Sequence, residues 1–170
     1  MEFFDAVAKR ASYRGAFLPE EMPEEDIRKI ITAGIQAPSG MNLQTTDFYI
    51  VRNPEIKAKI AERIPSEAVK SAPVIFVIAT RIVEKNNMSF EVEDYAASTE
   101  NILLAMTALG YAGVWMDGMT QKNEDNKEIH KMLGLSDEQY VRTIIPCGKP
   151  ANEPKQADRL SFDERAKFVD

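Results

Sequence analysis

Apolar residues recur at intervals of three and four along much of the chain, and this spacing predicts five helices. The second begins with Pro23, followed by three acidic residues that suit the positive N-terminus of a helix. It stops before Pro38, which cannot continue a helix. The predicted helices cover residues 2–11, 23–37, a segment after residue 54 carrying Ile56, Ile60 and Ile64, and residues 92–109 and 123–133.

Short runs of β-branched and aromatic residues predict four strands. Residues 73–79 form a continuous apolar run, which is typical of a strand buried on both faces of a sheet. Pro146 lies near the end of the last run, so we expect that strand at a sheet edge or Pro146 near the strand's terminus. The four runs are residues 48–51, 73–79, 114–116 and 140–147.

The helix predicted over residues 92–109 is apolar around most of its circumference, which predicts its burial. In a chain of 170 residues, burying such a helix can require a second subunit. From residue 151 the chain is mostly polar, so the tail 151–170 is either frayed or an arm that lies across a partner subunit. We expect one domain over residues 1–170, with helices on both faces of a mixed sheet.

Composition narrows the class of protein. The net charge of −6 argues against nucleic acid as a partner, because phosphate-backbone binding needs a basic face. No stretch approaches the ~20 apolar residues of a membrane span, and the first residues have no signal-peptide pattern. One cysteine, Cys147, cannot form an internal disulfide, which favours a reducing compartment. These features predict a cytoplasmic protein without a membrane partner.

The sequence lacks the residues that several kinds of catalysis require. His130 and Cys147 are each the only residue of their type, so no zinc site of histidine and cysteine ligands can be assembled. A hydrolase based on Ser39 lacks the glycine two positions earlier, where Ala37 stands. The chain also has no Walker loop and no dinucleotide fingerprint.

Two polar clusters allow a nucleotide-like cofactor. Arg10, Ser12 and Arg14 place two guanidiniums and a hydroxyl within five residues, which can surround a phosphate. Taken alone, two arginines at this spacing are more often solvated surface groups than a phosphate site. The loop of residues 38–44 carries two carboxamides that can contact a flat heterocycle; alternatively, it is a helix-stopping turn capped by Asn42.

The ordered co-occurrence of these motifs resembles the nitroreductase family of FMN-dependent oxidoreductases. The resemblance runs from Phe3 to about Glu164. Its most specific parts are Arg10-Ala11-Ser12-Tyr13-Arg14 and residues 37–44, supported by residues 94–110 with Asn101, by Gly148-Lys149-Pro150 and by Arg159. The chain departs from the family at Ala11, where a second arginine is common, and at Thr45, where a proline often stands. It also lacks the insertion that often builds a substrate lid.

The resemblance implies an α+β sandwich with a central mixed sheet, assembled as an intertwined homodimer with FMN in the interface. It assigns the FMN phosphate and ribityl end to Arg10, Ser12, Arg14 and Arg159. It assigns ring contacts to a loop of the other subunit, with backbone groups of residues 116–118 at the flavin edge. The ring-contact residues are Pro38, Ser39, Asn42 and Gln44, and Asn101 and Gly148 complete the predicted cofactor site.

The implied activity is hydride transfer from NADH or NADPH through the flavin to a small acceptor such as a nitroaromatic or a quinone. The cofactor carries that chemistry, so we assign no side chain as general acid or base. An alternative is a flavin-binding module for storage, delivery or sensing with little turnover. A structural dimer without cofactor is disfavoured, because both the anion-binding and the ring-contact motifs are present.

Overall fold

The computed structural model describes residues 1–169, and its centre is a four-stranded sheet. The strands are β1 (Thr46–Val51), β2 (Val74–Arg81), β3 (Ala112–Gly113) and β4 (Gln139–Gly148). Their spatial order is β1-β2-β4-β3, and each neighbouring pair runs antiparallel. The two long ladders, β1 with β2 and β2 with β4, fix the middle of the sheet.

Strand β2 separates two hydrophobic cores. Each residue from Val74 to Ala79 is 1% exposed or less, so both faces of this strand are covered. Phe76 and Ile78 point into one core, whereas Ile75 and Val77 point into the other, as the two-residue period of a strand requires. This confirms the prediction from the continuous apolar run.

Helices cover both faces of the sheet. On one face, α2 (Glu24–Ile35) packs against α5 (Glu91–Ala108), and both contribute to the core that contains Phe76. On the other face, α3 (Pro54–Arg63), α4 (Glu67–Ser71) and α7 (Asp125–Leu133) cover Ile75 and Val77. Short helices complete the chain: α1 (Phe3–Lys9), α6 (Asp117–Gln121) and α8 (Phe162–Arg165), with 3-10 turns at Gly40–Asn42 and Lys122–Glu124.

Local sequence explains where the helices start. The Asn53 side chain accepts hydrogen bonds from the backbone N–H groups of Glu55 and Ile56, and Pro54 occupies the first turn of α3, where no N–H partner is needed. Ser66 caps α4 through the N–H of Val69. Helix α2 ends at Ile35, short of the predicted residue 37.

Of two strand predictions, one is confirmed and one is wrong. Pro146 lies two residues before the end of β4, which is one of the two places expected for it, and β4 itself is internal, beside the two-residue strand β3. The strand expected over residues 114–116 is instead β3 at Ala112–Gly113, because the chain leaves the ladder to begin α6 at Asp117. The named strands pair only antiparallel; the parallel element is an isolated bridge between Ser12 and Gly113.

Helix α5 buries seven of its 18 residues, so its predicted burial is met on one side only in the single chain, and α1 and the tail expose apolar side chains. In α1, Phe3 and Phe4 are 63% and 82% exposed, and Ala6 is its one buried residue. The tail exposes Phe162 and Phe168, at 62% and 84%. The predicted arm 151–170 ends one residue beyond the described range. Among residues 1–169, no helix is long and apolar enough to cross a membrane.

Candidate active site

The segment that follows α1 is extended, and its side chains alternate between two sides. Ala11 and Tyr13 are 8% and 7% exposed, whereas Ser12 and Arg14 are exposed. The N–H of Tyr13 donates to the carbonyl of Gly113 at 2.9 Å, which fixes the segment beside β3. Because residues two apart share a side of an extended chain, Arg10, Ser12 and Arg14 face one way. By this alternation the three predicted site residues share one side of the segment.

The inward side of this segment explains one departure from the family pattern. Tyr13 packs against Phe17, with ring centroids 5.3 Å apart, and its hydroxyl donates to the carbonyl of Ala16 at 2.6 Å. Ala11 lies on the same buried side, where a charged side chain would be desolvated. The position therefore suits a small apolar residue.

The two arginines differ in their partners. The Arg10 guanidinium lies 3.6 Å from a carboxylate oxygen of Glu100, and its side chain is 16% exposed. Arg14 donates to the carbonyl of Ser12 at 3.2 Å and has no acidic partner within 4.0 Å among residues 1–169. Arg14 therefore offers an uncompensated positive charge on the side shared with Ser12.

Arg159 is not in contact with this cluster in the described chain. Its guanidinium donates to the carbonyl of the adjacent Asp158. The tail nevertheless comes close, because the Gln156 side chain donates to the carbonyl of Arg10 at 3.1 Å. Three extended residues span about 10 Å, so Arg159 is within reach of the cluster.

The loop after α2 has an unusual backbone. Met41, Asn42 and Gln44 have φ values of 50°, 56° and 49°, in the left-handed region that non-glycine residues seldom occupy. Each such residue costs about 1–3 kcal/mol. A loop of this kind persists only where its surroundings hold it in place.

Asp94, which is 3% exposed in the first turn of α5, provides that support. One carboxylate oxygen accepts from the N–H of Gly40 at 2.7 Å, and the other accepts from the hydroxyl of Thr45 at 2.8 Å. Within the loop, the Ser39 hydroxyl accepts from the N–H of Gln44 at 3.1 Å. The sequence interpretation missed this role of Asp94, although an acidic residue inside a buried helix was the available indication.

The loop's carboxamides are left free. The side chains of Asn42 and Gln44 are exposed and form no hydrogen bond with any of residues 1–169. In particular, the Asn42 carboxamide caps no backbone group, so the alternative of a simple capped turn does not describe this loop. Pro38 and Ser39 line a cavity of about 150 Å³ together with Gln44 and Ser98.

Asn101 and Gly148 have structural explanations. The Asn101 side chain donates to the carbonyl of Ala33 at 3.0 Å and ties α5 to α2. A side chain at Gly148 would lie 2.7 Å from Pro73 and 3.0 Å from Phe17, so packing alone requires glycine there. Their part in cofactor binding stays a prediction.

Residues 115–118 are held by a second contact from α5. The Tyr95 hydroxyl donates to a carboxylate oxygen of Asp117 at 2.5 Å, and Trp115 packs edge-on against the Tyr95 ring at 6.0 Å. Burial, and then the neighbouring Asp117 carboxylate, raise the pKa of Tyr95 to about 12. The hydroxyl therefore stays protonated and continues to donate at neutral pH.

Comparison with known proteins identifies this arrangement. The family model described as Nitroreductase family matches residues 7–68 and 62–149. The chain belongs to the nitroreductase family. This nitroreductase-family chain is 32% identical over 164 residues to a protein of Methanothermobacter thermautotrophicus named as a candidate NADH dehydrogenase/NAD(P)H nitroreductase, covering 96% of this chain and 85% of that one. A similarly named protein of Archaeoglobus fulgidus is 31% identical, with 89% and 87% covered.

Solved structures confirm the α+β nitroreductase fold. A BluB-like flavoprotein from Clostridium difficile superposes with a TM-score of 0.86 at 23% identity, with 100% of both chains covered. A candidate nitroreductase from Desulfovibrio desulfuricans, solved in complex with FMN, gives a TM-score of 0.82 at 25% identity, with 99% and 98% covered. The family and the fold that the motifs indicated are therefore confirmed.

Proposed function

We propose that this protein is a cytoplasmic, homodimeric, FMN-dependent NAD(P)H oxidoreductase. The observation that carries the proposal is the presence of two surfaces whose polar groups suit the two ends of FMN. One presents Arg10, Ser12 and Arg14 on one side of an extended segment, with Arg14 lacking an acidic partner among residues 1–169. The other is the strained, anchored loop with its two free carboxamides.

The donor set fits FMN. Arginine and serine groups on one side suit a phosphate dianion, since charge-assisted N–H···O bonds are the strong ones. The carboxamides of Asn42 and Gln44 can donate to and accept from the polar edge of a flavin ring. FMN, when bound, supplies the hydride chemistry between NADH or NADPH and a small acceptor such as a nitroaromatic or a quinone.

A dimer accounts for the exposed apolar side chains. Phe3 and Phe4 on α1, together with Leu160, Phe162 and Phe168 in the tail, are each at least 61% exposed in the single chain. Such an exposed apolar surface is typical of a subunit interface. In this arrangement the loop of residues 38–44 completes the site of the other subunit, and the tail lies across the partner.

The side chains near the proposed site position groups rather than transfer protons. Asp94 is committed to two hydrogen bonds, and Asp117 accepts from Tyr95. We therefore assign no general acid or base. The short chain, without an inserted lid, leaves the acceptor cleft open.

The visible spectrum of the purified protein tests the proposal. We expect flavin absorbance that gel filtration does not remove, bleaching when NADH or NADPH is added without oxygen, and recovery when an acceptor is added. A protein that takes up no FMN contradicts the proposal. A yellow protein that either nucleotide bleaches only slowly supports the alternative of flavin storage, delivery or sensing.

A further inference from the structure

We propose that Asp94 is a positioning residue that sets the ring-contact loop in its binding conformation before the cofactor arrives. This inference rests on the proposed function, because it assigns a role toward FMN. Asp94 is 3% exposed and acts through the loop, so it is not a catalytic residue.

The geometry joins both ends of the loop to one carboxylate. Gly40 directly precedes Met41, the first of the three left-handed residues, and Thr45 directly follows Gln44, the last of them. The two oxygens of Asp94 accept one hydrogen bond from each of these two residues. A single side chain therefore closes the strained segment and fixes the distance between its ends.

The charge of Asp94 suits this task. Both partners donate, one through a backbone N–H and one through a hydroxyl, so an acceptor-only carboxylate matches them. Asp94 lies in the first turn of the 18-residue helix α5, where the helix dipole favours a negative charge. No cation lies within 4.0 Å of it among residues 1–169, so the loop donors are its direct partners.

Packing against Phe90 also fixes the position of Gly40. A methyl group on Gly40 would lie 2.3 Å from the ring of Phe90, which directly precedes α5. The start of the loop is thus pressed against Phe90 and bonded to Asp94, and both belong to the beginning of one helix. A loop ordered in this way need not be ordered when a ligand binds, so binding is tighter.

Asp94→Asn tests the proposal, with Glu93→Gln as a control that makes the same charge change at an exposed position of the same turn. Asparagine keeps the shape but directs an NH2 group at a donor. In the cofactor-free protein, we expect amide hydrogen exchange of residues 40–45 to accelerate at least 30-fold, with β2 unchanged. We also expect FMN to bind at least 10-fold more weakly in a fluorescence titration, whereas the control stays within twofold.

Three results would overturn the proposal: unchanged exchange in the loop, equal acceleration throughout the sheet, or FMN affinity within threefold of the parent. If Asp94→Asn does not fold, Thr45→Val removes one of the two bonds with little change in shape, and we expect local acceleration of at least threefold. The exchange measurement does not need the cofactor. If the parent protein binds no FMN, the proposed function is contradicted. The exchange result still decides whether Asp94 holds the loop.

Discussion

Tyr95 donates its hydroxyl hydrogen to Asp117 at 2.5 Å and thereby joins α5 to the first residue of α6. Its neighbour Asp94 holds the loop after α2. Two consecutive residues of one helix therefore fix the two segments that we predict to contact the flavin ring. Because they point in different directions from α5, each contact can be removed without the other.

Replacing Tyr95 with phenylalanine removes the hydroxyl and leaves the ring. A hydrogen bond to a charged group contributes about 1.5–3 kcal/mol, so we expect the free energy of unfolding to fall by roughly that amount in urea denaturation. Tyr140→Phe is the matched control, because its hydroxyl donates to the neutral Gln121 at an exposed site. Equal losses of unfolding free energy in the two variants would contradict the stronger hydrogen bond assigned to the charged Asp117.

Stability should fall in alkaline solution. Burial, and then the carboxylates of Asp117 and Asp26, raise the pKa of Tyr95 and of Tyr111 from 10.0 to about 12. The neutral phenols are thus favoured in the folded chain, so their contribution is complete below pH 10 and is lost as the pH rises through 12. Unfolding free energies measured across this interval should decline, and Tyr111→Phe should reduce the slope. An identical slope in that variant would count against the assignment.

Cys147 should be unreactive in the native protein. Its side chain is 0% exposed, and burial raises the pKa of the thiol well above its usual value, so little thiolate forms. We expect no reaction with an aromatic disulfide reagent at neutral pH, and one thiol per chain after denaturation. A Glu138→Cys variant provides an exposed thiol as the positive control. Rapid modification of the parent would show that β4 opens readily.

Substitutions in the phosphate-binding and ring-contact parts of the proposed site should have different effects on FMN binding. Arg14→Ala removes a charged phosphate partner, so we expect about 10- to 150-fold weaker FMN binding in a folded dimer. Arg28→Ala is the control, since this exposed arginine pairs with Glu24 on α2. Asn42→Ala should change the flavin spectrum with a smaller loss of affinity. Matching losses for Arg14 and Asn42 would undermine the division of roles.

The exposed apolar side chains of α1 should stabilise the dimer. Replacing both Phe3 and Phe4 with serine removes apolar area that the single chain leaves exposed, so we expect dissociation to folded monomers in sedimentation velocity. Lys9→Ser is a control on an exposed position of the same helix. A double variant that stays dimeric would place the interface elsewhere.

Features that depend on nearby residues were predictable from the sequence. The buried strand β2 and the long helix α5 follow from the spacing of apolar residues. Arg10, Ser12 and Arg14 lie within five residues of one another, so their shared side also follows from the local sequence. The central place of β4 was not predictable, because strand order depends on pairings between distant segments.

The support of the loop was beyond sequence reasoning for the same reason. Asp94 lies 54 residues from Gly40 and 49 from Thr45, and Tyr95 lies 22 from Asp117. Nothing in the local pattern pairs these residues. Left-handed backbone at Met41 and Gln44 was equally hard to predict, because neither residue type favours that region.

The alternation around Tyr13 makes the spacing of the arginine cluster harder to change than its composition. One added residue between Arg10 and Tyr13 would shift the register by one, turning part of the polar set toward the core and Ala11 toward solvent. Substitutions at Ser12 or Arg14 leave the buried side intact. An insertion here would therefore disturb the core packing and the phosphate side together, whereas a substitution at Ser12 or Arg14 would disturb the phosphate side alone.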